Sequence, residues 1–316
     1  MAAILLTVWK RSDKLKILIS ALKKNRPPKI YVACDGPREN LFDEYKEVNE
    51  VKKSIDELID WDCNIYKLYS EKNLGCRKAM TKAINWFFAN EEEGIILEED
   101  CIPITDFIPY CSELLEIYRE NKKIWTISGT NLQDGFIRGD SSYYFSIHFN
   151  CWGWASWRDR WVNFDSNLDS WPMAREKKLL EGILKDPIEI NFWTKIFDKL
   201  YKYQKPDSWA YRFHLTCFLN NALHIMPNKN LIKNIGFDND ATHTKLNLKS
   251  SSTQNGIMPL IHPKLIQRDV FADKYIFYNH YKMTIKKRIK VIFKMPLYYP
   301  KKVIKLMIIL YKKIVK

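Results

Sequence analysis

A mainly parallel α/β sheet with helices on both faces is the fold class that the first 130 residues predict, and three features predict it. Short runs rich in apolar and aromatic residues alternate with amphipathic helical patterns. Gly and Pro are sparse, at 10 and 13 of 316 residues, which excludes collagen-like and low-complexity chains. Polar groups gather just after the apolar runs, where open α/β sheets place their ligands.

The elements follow in order. Ala3–Val8 reads as a first buried strand, with no basic stretch before it and Lys10 and Arg11 straight after it, unlike a secretory signal. Helical spacing predicts helices over 13–24, 41–59, 77–89 and 107–120, with Ser12 suited to the N-cap of the first. Between them, Lys29–Cys34, Asn64–Tyr69, residues 94–97 and Ile124–Ser128 read as strands. Beyond Gly129 the alternation fades. A loop-rich stretch over 131–142, a Trp-rich run and two or three helices follow. We therefore expect one body in two halves, 1–130 and 131–273, with an appended segment over 274–316.

Charge separates the tail from the body. The net charge is +14, but residues 274–316 hold thirteen Lys and Arg and no acid, leaving +1 for the rest. Nucleic acid is therefore not an expected partner of the fold. Lys286, Lys290 and Lys294 recur at helical spacing opposite Ile285, Ile289 and Ile292, and Pro296 and Pro300 separate this segment from a second one. Basic amphipathic segments of this kind favour an anionic bilayer surface; packing on the protein's own body is the alternative. Seven scattered cysteines without a Cys-x-x-Cys pair argue against zinc and against a disulfide framework, and fit a cytoplasmic setting. No segment approaches the roughly 20 apolar residues of a membrane span.

The chemistry concentrates at one junction. An apolar run ends on Glu98-Glu99-Asp100, and three adjacent acids at a buried strand end are costly unless a cation or a set of donors faces them. Asp100, last in the run, suits a divalent metal; Glu99 suits a ribose hydroxyl; Glu98 has no assigned task. A solvated turn before a helix suits the same residues. Asp35-Gly36-Pro37 offers a carboxylate to the N3–H of a uracil-type base, and is equally an ordinary turn. Asn73-Leu74-Gly75-Cys76-Arg77-Lys78 opens a helix with a Gly turn and two cations, a start that favours an anionic ligand because cations alone are unfavourable there. Trp152, Trp154 and Trp157 suit stacking on sugar rings or packing in a core. The stretch 234–244, with Gly236 and His243, suits a lid.

Together these ordered motifs resemble glycosyltransferases of the GT-A fold over about residues 1 to 250, most of all the bacterial haemolysin-like nucleotide-diphospho-sugar transferases, with a distant similarity to the N-acetylglucosaminyltransferase I type. The resemblance implies a Mn or Mg ion on Asp100. It implies donor contacts from Arg11, Asp35, Asn73, Gly75, Arg77, Glu99 and Trp154, with His243 assisting from the lid. It also implies a nucleotide-diphosphate sugar, a glycan or lipid-linked acceptor, and a place on the inner face of the cytoplasmic membrane. The chain departs from the related eukaryotic pattern, which keeps an acid immediately beside a tryptophan: here Ala210 follows Trp209. Asp207, two residues before that tryptophan, becomes the expected base, with Asp165, Asp169 and Asp240 as rivals.

Overall fold

The structure is a computed structural model that describes residues 1–236, 253, 256–281, 283–284 and 287–289. Its first half is laid out as expected: β1 (Ala3–Val8), α1 (Ser12–Leu22), β2 (Lys29–Cys34), α2 (Phe42–Leu58), β3 (Asn64–Tyr69), α3 (Cys76–Asn90) and β4 (Glu93–Glu98). The four strands pair in parallel in the order β3-β2-β1-β4. Pleating sends alternate side chains of β1 to opposite faces. Ile4, Leu6 and Val8 pack with residues of α1 and α2, whereas Ala3 and Leu5 pack with Met80, Ile84 and Phe87 of α3.

The rest of the chain continues the same sheet. It adds β5 (Cys101–Pro103), α4 (Phe107–Tyr118), β6 (Ile124–Ser128), β7 (Tyr143–Ser146) and β8 (Trp154–Trp157). The helices α5 (Arg158–Trp161), α6 (Trp171–Glu176), α7 (Leu179–Ile183), α8 (Pro187–Tyr203) and α9 (Trp209–Leu219) come next, followed by β9 (Leu223–Pro227), β10 (Ile232–Asn234) and α10 (Val270–Tyr275). Among the described residues the sheet has eight strands in the order β3-β2-β1-β4-β8-β6-β9-β7. β8 lies antiparallel between β4 and β6, and β10 pairs separately with β5.

Three expectations give way here. The Trp-rich run is a central strand, not a wall of a sugar site. Flanked by strands and covered on both faces, β8 has no polar side to show, so its sequence lacks the alternation that marks a strand. Trp154 is wholly buried, stacks on Trp209 at 5.6 Å between ring centroids and also meets Phe149 and Phe213, so it cannot touch a donor. Trp157, Trp161 and Trp171 are buried as well. Ser12 does not cap α1: its hydroxyl donates to Glu50 Oε1 at 2.7 Å, and α1 has no side-chain cap.

The boundary at residue 274 also moves. α10 runs across it into a π turn over Ile276–His280; Ile276 is buried, and Phe277 and Met283 are buried against Ile188 and Phe192 of α8 and against Tyr281. Asp273, buried, accepts from Ser146 Oγ at 2.6 Å and pairs with Arg268, tying α10 to the edge strand β7. Residues 274–281 and 283 of the basic segment thus belong to the body, and residues 282, 285, 286 and 290–316 lie outside the described residues. All seven cysteines are free thiols. Replacing Phe277 with Ala is expected to destabilise the full chain by about 3–5 kcal/mol in urea denaturation, the cost of emptying a buried phenyl site; an unchanged midpoint would return the residue to the tail.

Candidate active site at the carboxyl ends of the parallel strands

The carboxyl ends of β1 to β4 and the first turns of α3 line a cavity of about 320 Å³. Its floor is apolar, from Ala33, Leu68, Ala79, Met80 and Ala83, and its rim is polar, with Trp9, Arg11, Asp35, Asn73, Glu98 and Asp207.

The cation that the acid triplet requires is supplied by the protein itself. Parallel pairing of β1 with β4 sets the residues after Val8 beside those after Glu98. Glu99, only 3% exposed, accepts from the backbone N–H of Trp9 at 2.8 Å and from Arg11 Nε at 2.5 Å. The same guanidinium donates from Nη2 to Asp100 Oδ2 at 3.0 Å. Glu99 is therefore already engaged and is a poor acceptor for a ribose hydroxyl, while Arg11 spans the two acids. Glu98, the residue without an assigned task, lines the cavity together with Glu99, whereas Asp100 lies outside its lining. Burial, reinforced by the charge of Asp100, pushes Glu98 up to about 8. β4 ends at Glu98, so strand alternation does not carry on to Glu99 and Asp100.

Asp35 shapes the neighbouring loop. Its Oδ1 accepts from the N–H of Gly36 at 2.9 Å and of Leu74 at 3.0 Å, and its Oδ2 from Asn73 Nδ2 at 3.0 Å. The turn reading thus describes much of its bonding, while the carboxylate still borders the cavity, where burial pushes its pKa upward. Gly75 caps α3 at φ +77°, a conformation that favours glycine. Behind it, Asp207 Oδ2 accepts from the N–H of Arg77 at 3.3 Å and Oδ1 from Arg77 Nε at 3.4 Å. An acid from the second half thereby offsets the cations at the start of α3. Asp207 caps α3, not its own helix α9, and its side chain remains 47% exposed at the cavity rim.

Of the rival acids, Asp165 accepts from the N–H groups of Asp169 and Ser170, and Asp169 is exposed; neither lines the cavity. His243 and Asp240 lie outside the described residues, as does the lid stretch beyond Gly236. Sequence reading missed Trp9 and Arg38. Arg38 lines the cavity and lies 5.4 Å from the centroid of the Trp9 ring, and Trp9 Nε1 donates to the carbonyl of Gly36 at 3.0 Å. Glu44 of α2 anchors Arg38 together with Lys10, accepting from Arg38 Nε at 3.0 Å and from Lys10 Nζ at 2.9 Å. A Trp-Lys-Arg run straight after a strand was the available signal.

The donor set suits a hard divalent cation held mainly by its substrate. Among the described residues no group of three or more His, Cys, Asp or Glu is arranged to hold an ion. Glu98 and Asp100 nonetheless feel each other's charge, and Asp100 Oδ1 accepts only weakly, from the Cys101 thiol at 3.6 Å. One or two carboxylates completed by phosphate oxygens and water is a common arrangement for Mg.

No family model and no curated protein sequence matches the chain. Among solved structures, a TarS fragment from S. aureus (residues 1–349) is similar with a TM-score of 0.42 and 11% identity, covering 73% of this chain and 59% of that one. An apo UDP-glucose pyrophosphorylase has a TM-score of 0.36 and 9% identity, covering 74% and 93%. Mouse xyloside xylosyltransferase 1 has a TM-score of 0.35 and 13% identity, covering 68% and 80%. These likenesses are too distant to assign a family.

The Glu44 anchor has a defined pH signature. Its hydrogen bonds from Arg38 hold the folded-state pKa at about 2, below the ordinary value of 4.5, so its contribution is full above 4.5 and is lost as pH falls toward 2. Glu44→Gln is expected to cost about 1 kcal/mol at pH 7, discounted for the exposure of Arg38, and to cost nothing near pH 2. Urea denaturation of both proteins at the two pH values checks this; an equal cost at both would assign the effect to packing.

Proposed function

We propose that this chain is a metal-dependent glycosyltransferase that moves a sugar from a nucleotide-diphosphate donor, with uridine as the nucleoside, to a glycan or lipid-linked acceptor in bacterial surface polysaccharide synthesis. The observation that carries the reading is the cavity at the carboxyl ends of β1 to β4, where an apolar slot meets the start of a helix and a carboxylate cluster. Its volume of about 320 Å³ suits a small-molecule ligand.

In this reading the floor between Ala33 and Met80 takes the base, with Asp35 and Asn73 at its edge. The start of α3 lies toward the diphosphate, with the N–H of Arg77 held by Asp207 and the missing side chain of Gly75 leaving room beside that carboxylate. Asp100, with Glu98 beside it, would hold Mn or Mg; when bound, such an ion neutralises the charge of a departing diphosphate. Asp207, loosely held beside Arg77, accepts the proton of the acceptor hydroxyl. The acceptor oxygen bonds to the anomeric carbon, the carbon–phosphate oxygen bond breaks with its electron pair leaving on the diphosphate, and the configuration inverts. His243 would assist from the lid.

Two competing readings are less well supported. A sugar nucleotidyltransferase would be expected to carry a Gly-rich phosphate loop after β1. The segment from Val8 to Ser12 has no Gly, and Trp9 and Arg11 there are bound to acids. A noncatalytic membrane-binding protein would leave the cavity and its rim of acids without a role.

We further assign the basic segment to an anionic membrane surface, where it would bring the enzyme to a lipid-linked acceptor. Leu265 and Phe271, 72% and 76% exposed on the stretch that leads into it, support this assignment. Among the described residues no helix is long and apolar enough to cross a membrane.

A thermal-shift screen should show stabilisation by UDP or a UDP-sugar that grows with Mn, and Asp100→Asn should lose the Mn-dependent part. No shift with any nucleotide would sink the enzyme reading. Sedimentation with anionic vesicles should carry the protein down at low salt and release it as salt is raised, since screening weakens contacts between exposed charges; binding indifferent to lipid charge would remove the docking assignment.

A further inference from the structure

We propose that Arg11 and a divalent cation are alternative partners of Asp100, and that the donor's diphosphate draws the guanidinium away, so that metal and nucleotide bind as a coupled pair. This inference rests on the glycosyltransferase reading and names a regulation of the same site.

The geometry leaves Asp100 little freedom. Its carbonyl accepts from the N–H of Ile235 at 2.9 Å, and the next residue, Cys101, pairs with Asn234 across β5 and β10. Gly236 presses on the carboxylate so closely that a Cβ built there would lie 2.1 Å from Oδ2. With the backbone pinned on both sides and Gly236 beside Oδ2, the oxygen that Arg11 holds, Asp100 has little room to move. The guanidinium is the part that can move. Arg11 is 22% exposed at its side chain, on a long stem just ahead of α1.

Charge makes the two partners exclusive. A dication bound to Asp100 would stand within a few ångströms of Nη2, and like charges at that separation repel strongly in a partly buried site. A diphosphate offers the displaced guanidinium a bidentate anion. Glu99 provides the pivot. It keeps Arg11 through Nε at 2.5 Å and is itself held by the N–H of Trp9, so Nη2 can leave Asp100 without the arginine losing its anchor. A lysine has no second nitrogen with which to keep one partner and exchange the other.

Mn titration of the full chain, with free ion read by electron paramagnetic resonance, tests this in the absence and presence of UDP. In the wild type UDP should tighten Mn binding by at least about ten-fold, the scale of coupling between close, shielded charges, and Mn should tighten UDP binding by the same factor. Arg11→Met should bind Mn on the order of ten-fold more tightly without UDP, and the coupling should fall by the same factor, to the part that contact between the ion and the phosphate oxygens supplies. Because that variant leaves Glu99 buried without its cation, Arg11→Met combined with Glu99→Gln is the paired test, and the same change is expected. Mn affinity without UDP equal to wild type in both variants, or undiminished coupling, overturns the proposal. Asp100→Asn separates the two levels. Mn binding that disappears in it while the Arg11 variants behave like wild type refutes the exchange and leaves the metal site standing. No Mn binding by the wild type, with or without UDP, refutes both.

Discussion

One guanidinium lying across two carboxylates is the interaction on which the cleft depends. A strand that ends on consecutive acids cannot be buried unless something neutralises it, and an isolated buried carboxylate would be very costly. The parallel pairing of β1 with β4 brings Arg11 to Glu99 and Asp100, and the N–H of Trp9 closes the remaining valence of Glu99. Trp9 is thereby held at the rim, with its indole on the Gly36 carbonyl and Arg38 beside its ring. Strand order, charge compensation and cleft shape are thus one arrangement.

The two halves of the chain meet at this cleft in a different way from the way they meet in the sheet. In the sheet the join is apolar: β8 slots between β4 and β6, with Trp154 packed against α3 and α9 on one face and Trp157 against α4 on the other. At the cleft the join is electrostatic, with Asp207 reaching across 130 positions of sequence to the start of α3. A carboxylate that is half exposed and tied only by bonds of 3.3 and 3.4 Å is held loosely enough to serve a second purpose.

How much of this was legible in the sequence follows from the range of the forces involved. The first half was readable because each strand and helix there carries its own periodicity, and because loops at the carboxyl ends of parallel strands collect polar residues. Asp35, Asn73, Gly75, Glu98 and Asp207 all border one cavity. The second half was not readable in the same way. β8 is buried on both faces and four residues long, so it carries neither alternation nor length. Trp154 has the composition of a sugar platform and the surroundings of a core, and only the pairing of distant strands distinguishes the two. Long-range ion pairs were equally hidden. Nothing local to Arg11 announces that its partners lie 88 and 89 positions away.

The close approach of Gly236 to Asp100 has a consequence for how this chain tolerates change. A side chain at 236 has nowhere to go except into the carboxylate, with the Asp100 carboxyl carbon at 2.8 Å and Asn234 Oδ1 at 3.1 Å from the position a Cβ would take. Position 236 supplies no reactive group, yet it is as narrowly specified as one that does. A substitution map scored on activity alone would rank this glycine with the acids, and only a measurement of folding would show that its contribution is one of shape.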